Sequence, residues 1–296
     1  MKELILDTLI DSVKMLPFLL LSYIIIEYIE HKRSDKINNA LKKSGKFGNF
    51  IGALLGTIPQ CGFSVTAANL YAGRIITLGT LVAVFVSTSD EAIPILLSSP
   101  GSLPDILKIL IIKVIIAVIA GTIIDIVITK ANNKKLTKVN IKQDDEIEEH
   151  IHHMCSDSDC DCEEHGIFRS ALKHTVNIFI YIIIFSFILN FIIYLIGEDR
   201  LSSLLLTGSV YQPIIVALIG MIPNCASSIL LTQLYLAGNI TFASIIAGLV
   251  SGAGVGLAVL FKVNEDKKEN IKIAGIMYLI AVTSGIILEI FSYLFL

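Results

Sequence analysis

Long apolar stretches separated by short charged blocks constrain this chain more than any other feature of its sequence. The stretches lie near residues 4–26, 48–72, 75–99, 103–129, 175–197, 204–237, 240–261 and 271–296. Most of them reach the roughly 20 residues that an α-helix needs to cross a bilayer. Because 54% of the residues are hydrophobic and only 17% are charged, a soluble core could not bury this apolar surface. The sequence therefore predicts an all-α polytopic protein embedded in a lipid bilayer.

The chain also contains an internal duplication. When residues 56–87 are aligned with 220–251, at an offset of 164, twelve of the 32 positions are identical, whereas about two or three are expected by chance. The identities include Gly56/Gly220, Pro59/Pro223, Cys61/Cys225, Ser64/Ser228, Tyr71/Tyr235 and Ser87/Ser251. This pattern predicts a first membrane repeat over 1–129, a cytoplasmic loop over 130–168 and a second membrane repeat over 169–296.

Each repeat carries a proline in the middle of an apolar stretch, at Pro59 or Pro223. Proline removes a backbone donor, so a continuous helix is not expected there. The segment is either a broken spanning helix or a re-entrant hairpin that enters and leaves by one face. Lysine and arginine collect in loops 31–47, 130–169 and 262–272, which the positive-inside rule assigns to the cytoplasm. Only re-entrant hairpins put all three loops on one face. The prediction is an inverted repeat, each half with three spanning helices plus a hairpin.

Inverted repeats with broken helices form binding sites near the bilayer midplane in many secondary transporters. Thiols, carboxamides, hydroxyls and helix-end carbonyls at the two hairpin tips could together coordinate a metal ion. In the alternative interpretation, proline and glycine only shape the turns and each cysteine is a small packing residue. Because a cysteine recurs at matching positions, we favour a transport site at the tips. The predicted tip residues are Gln60, Cys61, Ser64, Asn224, Cys225 and Ser228.

A second polar group follows the first hairpin, inside an apolar stretch. It consists of Ser87, Thr88, Ser89, Asp90 and Glu91. Acids in such a stretch are costly and indicate an ion ligand or a proton carrier, unless the stretch ends early and the acids cap the next helix in water. Carboxylate oxygens favour harder divalent cations such as Mn²⁺. We therefore add Asp90 and Glu91 to the two cysteines as predicted metal ligands. The matching positions of the second half, 252–255, carry no acid.

Other charged residues in the apolar stretches lie mostly near the stretch ends, where snorkelling or local ion pairs explain them. Lys113 and Glu289 lie deepest. They are expected to pair with each other or to join a relay.

The central loop concentrates metal-binding side chains in a segment too polar to fold alone. These side chains are His150, His152, His153, Cys155, Cys160, Cys162 and His165. The composition suits Zn²⁺ or a similar metal collected at the cytoplasmic mouth of a transporter. No spacing matches a closed structural zinc site, so a solvated acidic linker is the alternative.

Three motifs resemble a known family. They are Gly-Thr-Ile-Pro-Gln-Cys-Gly-Phe-Ser at 56–64, Ser-Thr-Ser-Asp-Glu-Ala-Ile-Pro at 87–94 and Ile-Pro-Asn-Cys at 222–225. In this order they are similar to the ten-segment heavy-metal exporters, a family also described as arsenic efflux permeases and as manganese transporters. The resemblance covers nearly the whole chain. It agrees with five segments per half if each hairpin arm is counted as a segment.

Together, the residues and the resemblance predict a permease that exports Mn²⁺ or another transition or heavy metal across the cell membrane of a prokaryote. A proton or ion gradient is the expected driving force, because no phosphate-binding glycine loop for ATP is present, and no cofactor is expected. Export of an arsenic species through thiol coordination is the alternative. The net charge of −3 gives no reason to expect a nucleic-acid partner, and the sequence leaves a homo-oligomer open.

Two other classes of function have less support. A membrane enzyme could use Cys61 or Cys225 as nucleophile, but no histidine accompanies either cysteine in the sequence. A metal sensor would lose all function if residues 150–165 were deleted, whereas a transporter would only be modulated.

Overall fold

The described part of the chain is entirely helical. The structure, a computed structural model, describes residues 13, 16–17, 20–21, 23–24, 47–59, 62–89, 92–99, 103–136, 172, 175–177, 179–181, 183–184, 187–188 and 211–295. Ten α-helices have bounds within the described residues, the described residues at 13–24 and 172–188 are also helical, and no described residue lies in a β-strand. The first five are α1 (Gly48–Gly56), α2 (Gly62–Ala72), α3 (Leu78–Ser87), α4 (Ala92–Ser98) and α5 (Leu103–Leu136). The others are α6 (Gln212–Gly220), α7 (Cys225–Leu236), α8 (Phe242–Ser251), α9 (Val255–Val263) and α10 (Lys267–Phe295).

The helices of the two halves correspond in order and length. At the offset of 164, α1 matches α6 and α3 matches α8 at both ends. The pairs α2/α7 and α4/α9 differ by at most one residue at either end, and α5 and α10 begin at matching residues. The similarity found over 56–87 therefore extends through the five helices of each half whose bounds are described. α5 itself continues to Leu136, past residue 129 where we expected the first repeat to end.

Among the residues that the structure describes, four segments are long and apolar enough to cross a membrane: Leu78–Leu97, Leu103–Lys130, Phe242–Val263 and Lys267–Leu294. They coincide with four of the predicted stretches. Protein buries 81% and 89% of the segments formed by α3–α4 and α8–α9, but only 17% and 28% of those in α5 and α10. The outer face of α5 exposes a row of leucine and isoleucine side chains, which suits contact with lipid. We therefore place α3–α4 and α8–α9 at the centre and α5 and α10 at the lipid boundary.

Both central segments are interrupted, as are both proline segments. The described residues of these interruptions are 57–59, 88–89, 221–224 and 252–254, and we call them the four breaks. The expected interruptions at Pro59 and Pro223 are confirmed. The breaks at 88–89 and 252–254 differ from the continuous spans that we expected. They fall on Ser-Thr-Ser and Gly-Ala-Gly sequences, and serine, threonine and glycine are weaker helix formers than leucine or alanine.

Glycine contacts fix how the helices of the first half run. α1 and α3 lie side by side in the same direction, because Gly48 approaches Thr80 near the start of α3 and Gly56 approaches Ser87 at its end. α5 runs in the opposite direction to α3. Lys113 of α5 donates to the Thr88 carbonyl just after the end of α3, whereas Gly121, which comes later in α5, approaches Gly79 near the start of α3. Such close approach of two helix backbones is available only to small residues.

The second half repeats this arrangement. Gly220, at the end of α6, approaches Ser251 at the end of α8, so these two helices are also parallel. Gly285 of α10 approaches Ala247 of α8, as Gly121 approaches Ala83 in the first half.

The two halves exchange helices at the centre. α2 of the first half packs most extensively on α9 of the second, and α7 of the second half packs on α4 of the first. At the start of α9, Gly256 approaches the backbone and Cβ of Ser64 at the start of α2. Each arm that follows a proline break is therefore held by the opposite half.

Each central segment begins at a threonine N-cap that is tied to a carboxylate of the outer helix. Thr77 accepts a hydrogen bond from the Thr80 amide and donates to Asp125 Oδ2 at 3.0 Å. Thr241 accepts from the Ser244 amide and donates to Glu289 Oε2 at 2.7 Å. An N-cap hydroxyl satisfies one of the amides that the first helical turn leaves unpaired.

We predict that the glycines at the ends of α1 and α6 cannot be enlarged. A Cβ at Gly56 would collide with Ser87 Oγ and the Val84 carbonyl, and one at Gly220 would collide with the Gly248 carbonyl. Gly56→Ala and Gly220→Ala should each lower stability by about 1–3 kcal/mol, the usual effect of overpacking. The measurement is the Tm of the detergent-purified protein.

The control is Gly275→Ala, because Gly275 lies in α10 with no atom within 4 Å of the added Cβ. This variant should melt at or above the Tm of the parent protein. Equal Tm values for all three variants would contradict the predicted packing.

Candidate functional site

The breaks meet around a small cavity at the centre of the fold. Its lining comes from three of the four breaks and the adjoining helix ends: Thr88, Ser89, Gly220, Asn224, Ser227, Ser228, Gly248, Leu249, Gly252 and Gly254. The space holds about one water-sized sphere, the scale of a single ion or water molecule. Both halves supply the wall, since Thr88 and Ser89 come from the first half and the other lining residues from the second.

The lining of the cavity includes polar side chains although the cavity lies within apolar protein. Thr88 and Ser89 are 2% and 1% exposed, and the Thr88 hydroxyl donates to the Val84 carbonyl at 2.7 Å. On the facing wall, the Ser227 hydroxyl donates to the Asn224 carbonyl at 2.8 Å. Irregular backbone is tolerated at membrane depth only where protein or a polar cavity covers it, and these breaks are covered by each other.

Helix ends of both polarities point toward the cavity. α3 and α8 end at the cavity wall, and α7 and α9 begin there. The last carbonyls of a helix carry partial negative charge and the first amides carry partial positive charge. The cavity therefore offers both acceptors and donors from the backbone, in addition to hydroxyl and amide side chains.

A buried lysine lies directly behind this wall. Lys113 of α5 is 0% exposed. Its ammonium donates to the carbonyl oxygen of Thr88 and, at 2.8 Å, to that of Leu249. Both carbonyls belong to residues that line the cavity. Glu289 instead accepts from Thr241, so the expected pairing of Lys113 with Glu289 is not among the described contacts.

Tyrosine–carboxylate hydrogen bonds connect the halves on either side of the cavity. Tyr71 of α2 donates to Glu269 Oε1 at 2.7 Å in the first turn of α10. Tyr235 of α7 donates to Asp105 Oδ2 at 3.1 Å in the first turn of α5. At the offset of 164, Tyr71 corresponds to Tyr235 and Asp105 corresponds to Glu269. The two contacts are therefore equivalent, and each ties the arm after a proline break to the outer helix of the other half.

Among the described residues, only the Tyr71–Glu269 contact is joined by an ion pair between the two halves, since the Lys108–Asp105 pair lies within α5. Arg74 Nη1 and Nη2 donate to the two carboxylate oxygens of Glu269 at 3.2 and 3.0 Å. Burial lowers the pKa of Arg74, but the hydrogen bond and charge of Glu269 outweigh it and raise the pKa above its ordinary value. Arg74 has a φ of 55°, and the matching residue, Gly238, has a φ of 74°. The position therefore requires a left-handed backbone, which is easy for glycine and strained for arginine.

Comparison with known proteins assigns the family. The chain matches the family described as "Putative, 10TM heavy-metal exporter" in two overlapping stretches, residues 1–195 and 144–276. The chain belongs to this family. No curated protein and no solved structure matches it. The resemblance drawn from the three motifs is thereby confirmed, and family membership together with the apolar helices makes this an integral membrane protein of a heavy-metal exporter family.

The structure places the residues of the predicted transport site unequally. Thr88, Ser89, Asn224 and Ser228 line the cavity. Ser64 is fully buried against Gly256 at the edge of the same region. Ser87 is buried, and its hydroxyl donates to the Ala83 and Val84 carbonyls of its own helix, so it packs at the α1 interface. Cys225 begins α7.

The other predicted ligands are not described. Gln60, Cys61, Asp90 and Glu91 lie outside the described residues, as do the loop residues His150, His152, His153, Cys155, Cys160, Cys162 and His165. Among the residues that are described, no group of three or more His, Cys, Asp or Glu side chains could hold a metal. The metal ligands therefore remain predictions.

Sequence reasoning missed three features of the site. Ser227 lines the cavity but has no identical partner in the first half. The glycines at 252 and 254 line it as well, although the sequence analysis marked these positions only by their lack of an acid. Lys113 was singled out for its depth, yet its carbonyl partners leave no pattern in the sequence. Two glycines at membrane depth, at 252 and 254, are the signal that could have identified the second break of the second half.

The similarity of the outer helices was also hidden, for a different reason. Asp105 corresponds to Glu269 and Asp125 to Glu289, so these matches are conservative changes and do not count as identities. Their equivalence becomes visible through the contacts, since each acid of a pair receives a tyrosine or threonine hydroxyl in the same place. An alignment by chemical role, with aspartate and glutamate treated as equivalent, is the signal that extends the repeat to α5 and α10.

The left-handed backbone at Arg74 yields a prediction. Arg74→Gly and Arg74→Ala both remove the ion pair with Glu269, which is worth about 0–1 kcal/mol because both side chains are partly exposed. Only the alanine variant keeps the strain of a left-handed residue, about 1–2 kcal/mol. Arg74→Gly should therefore melt at a higher temperature than Arg74→Ala. Indistinguishable Tm values would show that the backbone at this position is not constrained.

Proposed function

We propose that this protein exports a heavy-metal cation, with Mn²⁺ as the first candidate, through the central cavity between its two halves. One observation carries the proposal: broken helices of both halves enclose a buried polar cavity whose wall includes Thr88 and Ser89. Asp90 and Glu91 follow these two residues directly in the sequence. Two carboxylates beside hydroxyl and carbonyl oxygens suit a hard divalent cation. Cys61 and Cys225 are proposed as additional ligands at the two tips.

We also propose that both proline segments are re-entrant hairpins. α1 and α3 begin at one level and end about 13–15 Å deeper, given 1.5 Å per helical residue. If α2 continued beyond that depth, its end would lie about 30 Å from the start of α3. The five residues 73–77 that connect them span at most about 20 Å. The short connection therefore favours a return of α2 to the face where α1 begins, and the same lengths apply to α6, α7 and α8.

The contacts of α5 support opposite orientations for the two hairpins. We call the end at which a hairpin enters and leaves the membrane its mouth. Asp125, near the end of α5, accepts from the Gly79 amide at the start of α3, beside the mouth of the first hairpin. Asp105, at the start of α5, accepts from Tyr235 at the mouth of the second. Because Leu103–Lys130 is long enough to cross the membrane, we infer that the two mouths lie on opposite faces. This is the geometry of an inverted repeat.

The charges of the loops agree with this orientation. In the proposed arrangement, loops 31–47, 130–169 and 262–272 share the face of the first hairpin mouth. Arg74 also lies there, whereas residues 236–241 at the other mouth carry no lysine or arginine. We therefore propose that the first mouth is cytoplasmic. The histidine- and cysteine-rich segment 150–165 would then collect metal on the side from which export begins, with a proton or ion gradient as driving force.

Export of an arsenic species is the second candidate, and the lining itself favours it. The described wall includes hydroxyls, an amide and the backbone groups near the N-termini of α7 and α9. These groups hydrogen-bond to a neutral or anionic hydroxylated solute. The thiols of Cys61 and Cys225 would supply the softer ligands that arsenic prefers. Growth tests with Mn²⁺ and with arsenite distinguish the two cargoes directly.

The orientation can be tested by cysteine labelling. In a background without native cysteines, Asn239→Cys should react with a membrane-impermeant maleimide added to intact cells. Glu265→Cys should react only after permeabilisation, because it lies on the opposite face. Labelling of both positions from the same side would contradict the inverted arrangement.

The cargo can be tested with cells that express single variants. Asp90→Asn and Glu91→Gln should reduce Mn²⁺ efflux by about tenfold or more, since even changes around metal ligands commonly reduce metal affinity about 10–100-fold. Glu265→Gln, in an exposed loop, is the control and should match the parent protein. Metal content is measured by elemental analysis, and Cys61→Ser is compared in parallel under arsenite. If none of the variants changes efflux of either cargo, the proposed transport site is wrong.

A further inference from the structure

Lys113 is a buried position at which the two outer helices, which otherwise match on this face, differ in charge. The buried stripe of α5 includes Ile109, Lys113 and Ala117, and the matching stripe of α10 reads Ile273, Met277 and Ala281. All six side chains are buried to within 1% exposure. An apolar side chain of similar length therefore fills this place in the second half. Packing at this place therefore requires a side chain of this length, but it does not require the charge of an ammonium.

The ammonium bridges the two halves through helix ends. The carbonyl of Thr88 follows the last residue of α3, in the first half, and that of Leu249 lies in the last turn of α8, in the second. The final carbonyls of a helix have no intrahelical partner and together carry about half a negative charge. The partial negative charge at two such ends offsets part of the cost of burying a cation.

This is the environment that ion-coupled carriers give to a bound cation. In many secondary transporters, carbonyls at unwound helix ends near the midplane coordinate Na⁺ or a proton carrier. Here the two carbonyls already hold a covalently attached cation, whose ammonium has three donors and a single compact charge.

We propose that the Lys113 ammonium is a tethered cation that occupies a monovalent-cation site formed by the ends of α3 and α8. It replaces a bound Na⁺ or K⁺ and holds the two halves together at the wall of the cavity. Lys113 is thus a positioning residue, acting on cargo through the backbone of Thr88 and Leu249. The inference rests on the proposed transport function for its physiological meaning, but the cation site itself can be measured without transport.

Removal of the ammonium should therefore create a need for a free cation. Lys113→Ala leaves room for a small ion, whereas Lys113→Met fills the space with the residue found at the matching position of the other half. The Tm of purified Lys113→Ala should rise in about 0.15 M chloride salts of Na⁺, K⁺, NH₄⁺ or methylammonium, relative to N-methylglucamine chloride at equal ionic strength. A ligand that binds only the folded state raises its Tm. The parent protein, Lys113→Met and the surface control Lys108→Ala should show no such difference.

Transport provides the second readout, with Mn²⁺ and arsenite as the probes in everted vesicles. Both lysine variants should transport at least about tenfold less than the parent protein in N-methylglucamine, since hydrogen bonds to charged groups are lost. One of the small cations should restore much of this loss in Lys113→Ala but not in Lys113→Met. Restoration in the alanine variant alone is a result that a purely structural role would not give.

The outcomes separate this inference from the transport proposal. If the parent protein moves neither probe, the transport proposal fails, while the cation dependence of the Lys113→Ala Tm still tests the cation site. If Lys113→Ala folds and no cation raises its Tm, the tethered-cation inference is overturned. If Lys113→Ala cannot be purified in any salt, Lys113→Met decides. Transport equal to that of the parent protein, or a loss of transport together with a lower Tm, would overturn the inference. A loss of transport at an unchanged Tm would support it.

Discussion

The fold depends on covering helix ends that lie inside an apolar environment. The four breaks create eight helix ends, each with amides or carbonyls that hydrocarbon cannot satisfy. The chain brings these ends together, so that Gly56 lies against Ser87 within one half and Gly256 against Ser64 across the halves. The polar cavity is a direct result of this arrangement, because it forms where the unpaired backbone groups are gathered. Larger residues at the glycine contacts would separate the ends and expose them.

The two halves agree where packing demands it and differ where chemistry is proposed. The threonine caps, the carboxylates of the outer helices and the tyrosine contacts between halves are the same in kind on both sides of the cavity. The differences lie at three matched places: 88–91 against 252–254, Lys113 against Met277 and Arg74 against Gly238. Each difference adds a charged group to the first half or to its mouth. A duplicated scaffold thus carries its charged groups asymmetrically around one central cavity.

Sequence alone identified the parts of this fold that depend on composition and on proline. The length of the apolar stretches predicted the segments from Leu78 to Lys130 and from Phe242 to Leu294. The absence of a backbone N–H donor at Pro59 and Pro223 predicted two breaks. The other two breaks escaped prediction because serine, threonine and glycine lower helix propensity only weakly, so that tertiary contacts decide. The partners of Lys113 escaped as well. The length of an apolar stretch predicts depth in the membrane, but it does not predict which neighbour a side chain faces.

The unequal contacts at the two mouths bear on how an inverted repeat can work as a carrier. Two identical halves would give inward- and outward-facing states of equal energy, and differences between halves must set the preference. The Arg74–Glu269 pair is a partly exposed contact worth about 0–1 kcal/mol, which corresponds to at most about a fivefold shift between two states. That is enough to bias one mouth toward closure and too little to lock it. An ion pair of this size at one mouth is therefore compatible with a cycle that must open both mouths in turn.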